Sequence, residues 1–237
     1  MSKKFKNKTC AYCSTPNSAT TGDHVFAREF FDEKHRHNLP KIPPCENCNN
    51  EKSKLEHYLT TVLPFGSQTK NAEINLRYNV SKRLKRNNKL DRSLASSMEY
   101  RWVEKDGILA RQMTLPFDGK KYHDLFALIA RGLVVHHWNL HLPLDYDFMA
   151  ITTAKGGEEF FERNLSLNAT KLTSVSLGDG MFQYKGMQSF DDPNKSTWKF
   201  IIAGGTQVLG DNGLLSSVVY AISEKKSFIE DIRSHIR

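Results

Sequence analysis

Apolar residues recur at helical spacing in some stretches of this chain and at alternate positions in others, and the two periods divide it into elements. From Asn47 onward, Leu55, Tyr58, Leu59 and Val62 fall three and four residues apart, which predicts a helix that Pro64 and Gly66 end. A second helix is predicted from about 68 to 98, with Leu84 and Leu90 the apolar exceptions in its central SKRLKRNNKLDR. Residues 119 to 140 place Leu125, Leu128, Ile129, Leu133 and Trp138 on one largely apolar face. Between these helices, EYRWVEKDGILARQMTL consists of two β-rich runs flanking Asp106-Gly107, the pattern of a hairpin. After Pro143, DYDFMAITT predicts a strand and GEEFFERNL a short helix. The remainder alternates in strand fashion, with turn signals at Gly178-Asp179-Gly180 and Asp211-Asn212-Gly213.

Ahead of the first helix the pattern is sparser. Residues 1 to 9 form a basic tail, and Cys10 to Gly22 read as a knuckle and loop rich in Ser, Thr, Pro, Asn and Gly. A short strand is predicted around Asp23 to Phe26. Segment 27 to 44 reads as a loop with one helical turn, because Pro40, Pro43 and Pro44 exclude a long helix. The expected fold class is α+β: a small module over 1–66, a basic helical linker over 67–98, and an α+β domain with an antiparallel sheet over 99–237.

Charge sharpens that division. Residues 1 to 98 carry 18 Lys and Arg against 9 Asp and Glu, a net of +9, while residues 99 to 237 carry 16 against 17, a net of −1. The whole excess lies in the first part, and concentrated positive charge favours a polyanion through counterion release. Lys82, Arg83, Lys85, Arg86 and Lys89 are the expected backbone-tracking residues for nucleic acid. No apolar run of signal-peptide or membrane-spanning length is present, so a soluble, cytoplasmic protein with no membrane partner is expected.

All four cysteines fall into two C-x2-C pairs, Cys10/Cys13 and Cys45/Cys48. In a secreted protein they could form two disulfides, but in a reducing compartment this spacing points to metal, with Zn²⁺ the economical choice. A tetrathiolate zinc site is closed and structural, and it supplies folding energy to a module too small for a comfortable core. It does not name a function, since zinc ribbons, treble-clef folds and redox dithiols share it.

The 31 residues between the pairs exceed what a compact zinc ribbon needs, and they contain Asp23-His24. Phosphodiester cleavage requires a base for water and a divalent cation held against the phosphate. Asp23 and His24 can supply a ligand and a base, and on a strand their side chains leave on opposite faces. Asn49 follows Cys48 directly, and its carboxamide oxygen suits Mg²⁺. Lys52 and Ser53, three and four residues on, share its helical face, and Lys52 could neutralise phosphate charge. The bland alternatives are a turn at Asp23-His24, a helix cap at Asn49 and a solvated Lys52.

Segment 10–66, about a quarter of the chain, resembles the zinc-containing HNH endonucleases, whose ββα-metal motif runs C-x2-C, Asp-His, a middle Asn, then C-x2-C-Asn-x2-Lys. Here these are Cys10 and Cys13, Asp23-His24, Asn38, and Cys45 and Cys48 followed by Asn49 and Lys52. The resemblance implies that His24 is the general base, that Asp23 and Asn49 ligate one catalytic Mg²⁺ or Mn²⁺, and that Asn38 orients His24. It implies a treble-clef-like module with DNA, or RNA, as partner. Asn49 stands where the last letter of HNH names His, and Ser53 where toxin-type members carry a further His ligand; His57 reads as a surface residue.

Nothing comparable covers residues 99–237. Trp102, Trp138 and Trp198 could stack on bases, but aromatics at these spacings are more commonly core, and His136-His137 point different ways from one helix. This part is expected to choose a target or a protein partner. The leading expectation is a metal-dependent DNA endonuclease of restriction or anti-phage defence. The alternatives are a zinc-stapled nucleic-acid-binding protein without catalysis, and a nuclease toxin controlled by a partner.

Overall fold

The computed structural model describes residues 3–66, 70–105, 107–115, 117–153, 155–167, 171–202, 205–206, 208–209 and 215–235. The first part builds a two-stranded antiparallel ribbon from β1 (Asp23–His24) and β2 (Lys41–Ile42), followed by helix α1 (Glu46–Val62). Short 3-10 turns at Arg28–Phe30 and Glu33–His35 fill the loop between the strands. The predicted strand thus stops at His24, and its partner β2 forms just before Pro43, where the sequence shows no strand pattern.

The predicted single helix from 68 to 98 is broken. Helix α2 (Lys70–Asn75) runs through a π-turn at Leu76–Val80 into α3 (Ser81–Arg86), and α4 (Asn88–Ser97) starts afresh. The break is at Asn87, which leaves helical geometry at φ −128° and ψ 72°, while its side chain accepts a hydrogen bond from the Leu90 amide at 3.1 Å. Asn is a good N-cap and a poor helix-interior residue, so it starts a new helix here.

Strands β3 (Glu99–Lys105) and β4 (Ile108–Thr114) form the expected hairpin and among the described residues pair with no other strand; Asp106 at its turn lies outside the described residues. Helix α5 (Gly119–Trp138) is capped by Asp118, whose carboxylate accepts from the Lys121 amide. Next come β5 (Tyr146–Ile151), α6 (Lys155–Ser166), β6 (Leu172–Leu177), β7 (Phe182–Gln188), β8 (Ser196–Ile202), a two-residue pairing of β9 (Val208–Leu209) with β10 (Leu215–Ser216), β11 (Val218–Lys225) and α7 (Lys226–His235). Five of these strands make one antiparallel sheet in the order β5-β11-β8-β7-β6. The fold class is therefore α+β with an antiparallel sheet. The turn from β6 to β7 runs through Gly178, Asp179 and Gly180, all at positive φ, where glycine costs least. The other predicted turn, Asp211-Asn212-Gly213, lies outside the described residues.

Alternation along β7 and β8 puts Phe182, Tyr184, Trp198 and Phe200 on one face, where Phe126 of α5 lies 5.2 Å from Phe200 and Trp138 lies 5.0 Å from Trp198. Gly186 of β7 leaves room for the Trp198 ring, into which any Cβ there would run. On the opposite face Phe161 of α6 stacks on Tyr220 at 4.5 Å. Trp198 is fully buried, whereas Trp102, expected in the core, is 70% exposed on a hairpin that joins no larger sheet among the described residues. His137 is a half-buried histidine that meets the Tyr184 hydroxyl at 3.0 Å. Burial, then His136, pushes it down to about 4.

The core does not divide at residues 66 or 98. One buried cluster runs from Cys10 to Ala221, and α5 is its spine. Phe26 packs 4.9 Å from Phe182, and Phe30 and Phe31 flank the same ring. On the other side of α5, a Cβ at Gly132 would come within 2.9 Å of Ile42 and 3.3 Å of Val25, so the ββ ribbon sits directly on that helix. Arg131 of α5 donates to the Tyr12 carbonyl at 2.7 Å and to Asp147 at 2.6 Å, joining the first cysteine knuckle to β5. Replacing Phe26 with Ala is expected to cost about 3–5 kcal/mol and to shift one cooperative urea transition seen by both far-UV and tryptophan signals. A separate early transition for residues 1–66 would contradict the shared core.

Candidate functional site

The two cysteine pairs converge. Cys10 and Cys13 lie on the knuckle after the N-terminal turn, Cys45 is the N-cap of α1, and Cys48 lies in that helix's first turn. All four sulfurs lie within 4.8 Å of one another, with Cys13 and Cys45 Sγ 3.9 Å apart. A tetrahedral zinc with bonds of about 2.3 Å separates its sulfurs by about 3.8 Å, so this set fits a structural metal such as zinc. It does not fit the disulfide alternative, since all four cysteines are free thiols. The amides of Tyr12 and Cys45 donate to Cys10 Sγ at 3.4 and 3.2 Å. Burial pushes the Cys10 and Cys48 thiols up; at Cys13 burial also raises the thiol, but hydrogen bonds involving Thr15, Cys10 and Cys48 together bring it down to about 7. Four such thiolates repel one another unless a cation neutralises them.

Helix α1 extends from this cluster past the ribbon, and Lys52 joins the two. Its side chain is fully buried, and its ammonium donates to Asp23 Oδ2 at 2.9 Å, to the His24 carbonyl at 2.8 Å and to Glu56 Oε1 at 2.5 Å. Three protons meet three acceptors. The expected phosphate contact by Lys52 is thereby corrected: an ammonium with no exposure, committed to two carboxylates, does not reach a substrate. Removing it would leave Asp23 and Glu56, both part-buried, without the cation they share. Burial pushes the Glu56 carboxyl up to about 7 despite the lowering pull of Lys52.

Asp23 is only partly committed. Tyr12 donates its hydroxyl to Oδ2 at 3.2 Å beside Lys52, and among the described residues Oδ1 accepts no hydrogen bond. Burial, with the Asp23 and Glu56 charges nearby, holds the Tyr12 phenol well above its usual range, so it remains a donor. The His24 imidazole makes no hydrogen bond among the described residues and is half-buried. Burial first, then the Lys41 and Arg28 cations, lowers its pKa and favours the neutral ring. Asn49 lies one turn before Lys52, half-buried, with no side-chain hydrogen bond among the described residues. Asp23 and Asn49 thus offer uncommitted oxygens of the type that suits a hard divalent cation.

Asn38 is exposed and makes no hydrogen bond to His24. The orientation expected of it comes instead from the ribbon, where His24 pairs with Lys41 and the Val25 amide donates to the Pro40 carbonyl at 2.8 Å. In the basic segment, Lys82, Lys85, Arg86 and Lys89 are exposed, but Arg83 is not available: it donates to the Thr60 carbonyl near the end of α1 at 2.7 Å. Burial lowers its pKa. No described helix is long and apolar enough to cross a membrane.

Against known proteins, the chain matches no family model, no curated protein and no solved structure.

Sequence reasoning missed Tyr12, Glu56, Lys41 and Arg28. Glu56 was accessible from its i+4 spacing to Lys52; Tyr12, between two cysteines, and the cations beside His24 carried no signal. Mass spectrometry of the purified protein is expected to find about one zinc per chain, with loss of α1 helicity on chelation. A folded, metal-free protein would overturn the staple.

Proposed function

We propose that the chain is a metal-dependent endonuclease of the HNH type that hydrolyses phosphodiester bonds in DNA, as restriction or anti-phage defence requires. One observation carries this reading. Asp23 and His24 on a two-stranded ribbon are pinned, through Lys52, to the helix that bears Asn49, beside four clustered cysteines. The succession of strand, strand and helix is the order the motif demands.

In this reading Asp23 Oδ1 and the Asn49 carboxamide hold one Mg²⁺ or Mn²⁺, which supplies charge neutralisation at the phosphate and the leaving oxygen. His24, whose imidazole has no hydrogen-bond partner among the described residues, accepts a proton from the attacking water at a ring nitrogen. The phosphate role withdrawn from Lys52 passes to Lys41 and Arg28, exposed cations close enough to lower the His24 pKa. Zinc in the cysteine cluster fixes the start of α1 and takes no part in the chemistry. Lys82, Lys85, Arg86 and Lys89 give the backbone a basic track, while Arg83 serves the fold.

Plasmid incubated with the protein and Mg²⁺ or Mn²⁺ is expected to be nicked or cut, and His24→Ala to reduce the rate by roughly 10²–10⁴-fold, the contribution typical of a general base. Equal cutting by both proteins, or none by either with any metal, would refute the assignment and favour binding without catalysis. For DNA affinity, each of Lys82→Ala and Lys85→Ala is expected to reduce the slope of log K against log salt by about 0.9. Arg83→Met should instead lower the melting temperature. Unchanged slopes in both lysine variants would remove this segment from the interface.

A further inference from the structure

Glu56 lies two turns along α1 from Asn49, and neither the cysteine staple nor the proposed chemistry uses it. Its carboxylate nevertheless ends a part-buried polar chain that reaches Asp23: Glu56 Oε1 to Lys52 Nζ at 2.5 Å, Lys52 Nζ to Asp23 Oδ2 at 2.9 Å, and Tyr12 hydroxyl to the same Oδ2 at 3.2 Å. Two carboxylates share one ammonium. Each therefore receives part of its charge, and with Glu56 ionised the set of three carries a net charge of −1.

We infer that Glu56 is a positioning residue for the divalent cation: by holding Lys52 between two carboxylates, it leaves Asp23 Oδ1 oriented and negative enough to bind metal. This rests on the nuclease reading above. The geometry separates the two oxygens of Asp23 by task. Oδ2 takes both protein donors, which fixes the carboxylate plane, and Oδ1 has none among the described residues. If Glu56 loses its charge, Lys52 is left with Asp23 as its sole anion, the local charge falls to zero, and Oδ1 becomes a poorer donor. Partners of this kind, one step behind a metal ligand, typically change metal affinity by roughly 10–100-fold.

The test uses the full chain with its zinc retained, and reads Mn²⁺ binding by calorimetry and electron paramagnetic resonance alongside DNA cutting. Glu56→Gln keeps the hydrogen-bond acceptor and removes the charge. It is expected to weaken Mn²⁺ binding by roughly 10–100-fold, with zinc content and far-UV spectrum unchanged and cutting recovered at high Mn²⁺. Glu56→Asp, which keeps the charge but withdraws it by one methylene, is expected to show a smaller loss. A wild type that binds Mn²⁺ and cuts DNA, beside a folded Glu56→Gln with the same Mn²⁺ affinity, would overturn the positioning role alone. If Glu56→Gln does not fold, wild-type affinity in Glu56→Asp would overturn it. A wild type that binds no Mn²⁺ would overturn this role and the nuclease reading together.

Discussion

A buried ammonium has to be matched by anions, and at Lys52 that requirement joins the helix to the ribbon. Moving a lysine fully out of water is affordable only when every proton finds an acceptor and the charge is balanced. Here the acceptors are a carboxylate on β1, a carbonyl on β1 and a carboxylate one turn further along α1. The consequence reaches Asn49, which sits between Cys48 and Lys52. The cysteine cluster holds the helix just before it, and the ammonium holds it three residues later. Asp23, His24 and Asn49 therefore belong to one rigid arrangement although 26 positions separate the first from the last.

Helix α5 supplies the floor for this arrangement. One side of it packs on the five-stranded sheet, and the other receives Val25 and Ile42 of the ribbon close to Gly132. A small residue is needed there because the ribbon approaches the helix backbone. Arg131, one residue earlier, ties the first knuckle to β5. The part expected to choose a target thus also supports the site. Its β3–β4 hairpin is the exception, since Trp102 and Tyr100 stand in solvent with Arg111 over the Tyr100 ring at 5.0 Å.

Much of the fold was legible from periodicity: α1, the β3–β4 hairpin, α5 and the strand-rich remainder lie where the apolar pattern puts them. The cysteine spacing foretold that four sulfurs converge. What the sequence hid was which element covers which. A pattern of apolar positions marks the face a helix buries but not its neighbour, so the single core across residues 66 and 98 could not be read. Lys52, expected to neutralise phosphate charge, gave no sign of burial because α1 is polar along most of its length, and only the fold shows that its polar face meets Asp23. Strand β2 is two residues long beside prolines, too short to leave a period. Arg83 stood among exposed cations of the same type, and nothing local marks the Thr60 carbonyl as its partner.

The central claim is that two different metals serve two different sites on this chain, sulfur for the staple and oxygen for the chemistry. Crystals grown with zinc and soaked in Mn²⁺ test it by anomalous scattering at both absorption edges. The account predicts a zinc peak among Cys10, Cys13, Cys45 and Cys48 and a separate manganese peak between Asp23 Oδ1 and Asn49. Manganese elsewhere, or absent with Asp23 and Asn49 ordered and open to solvent, would contradict it.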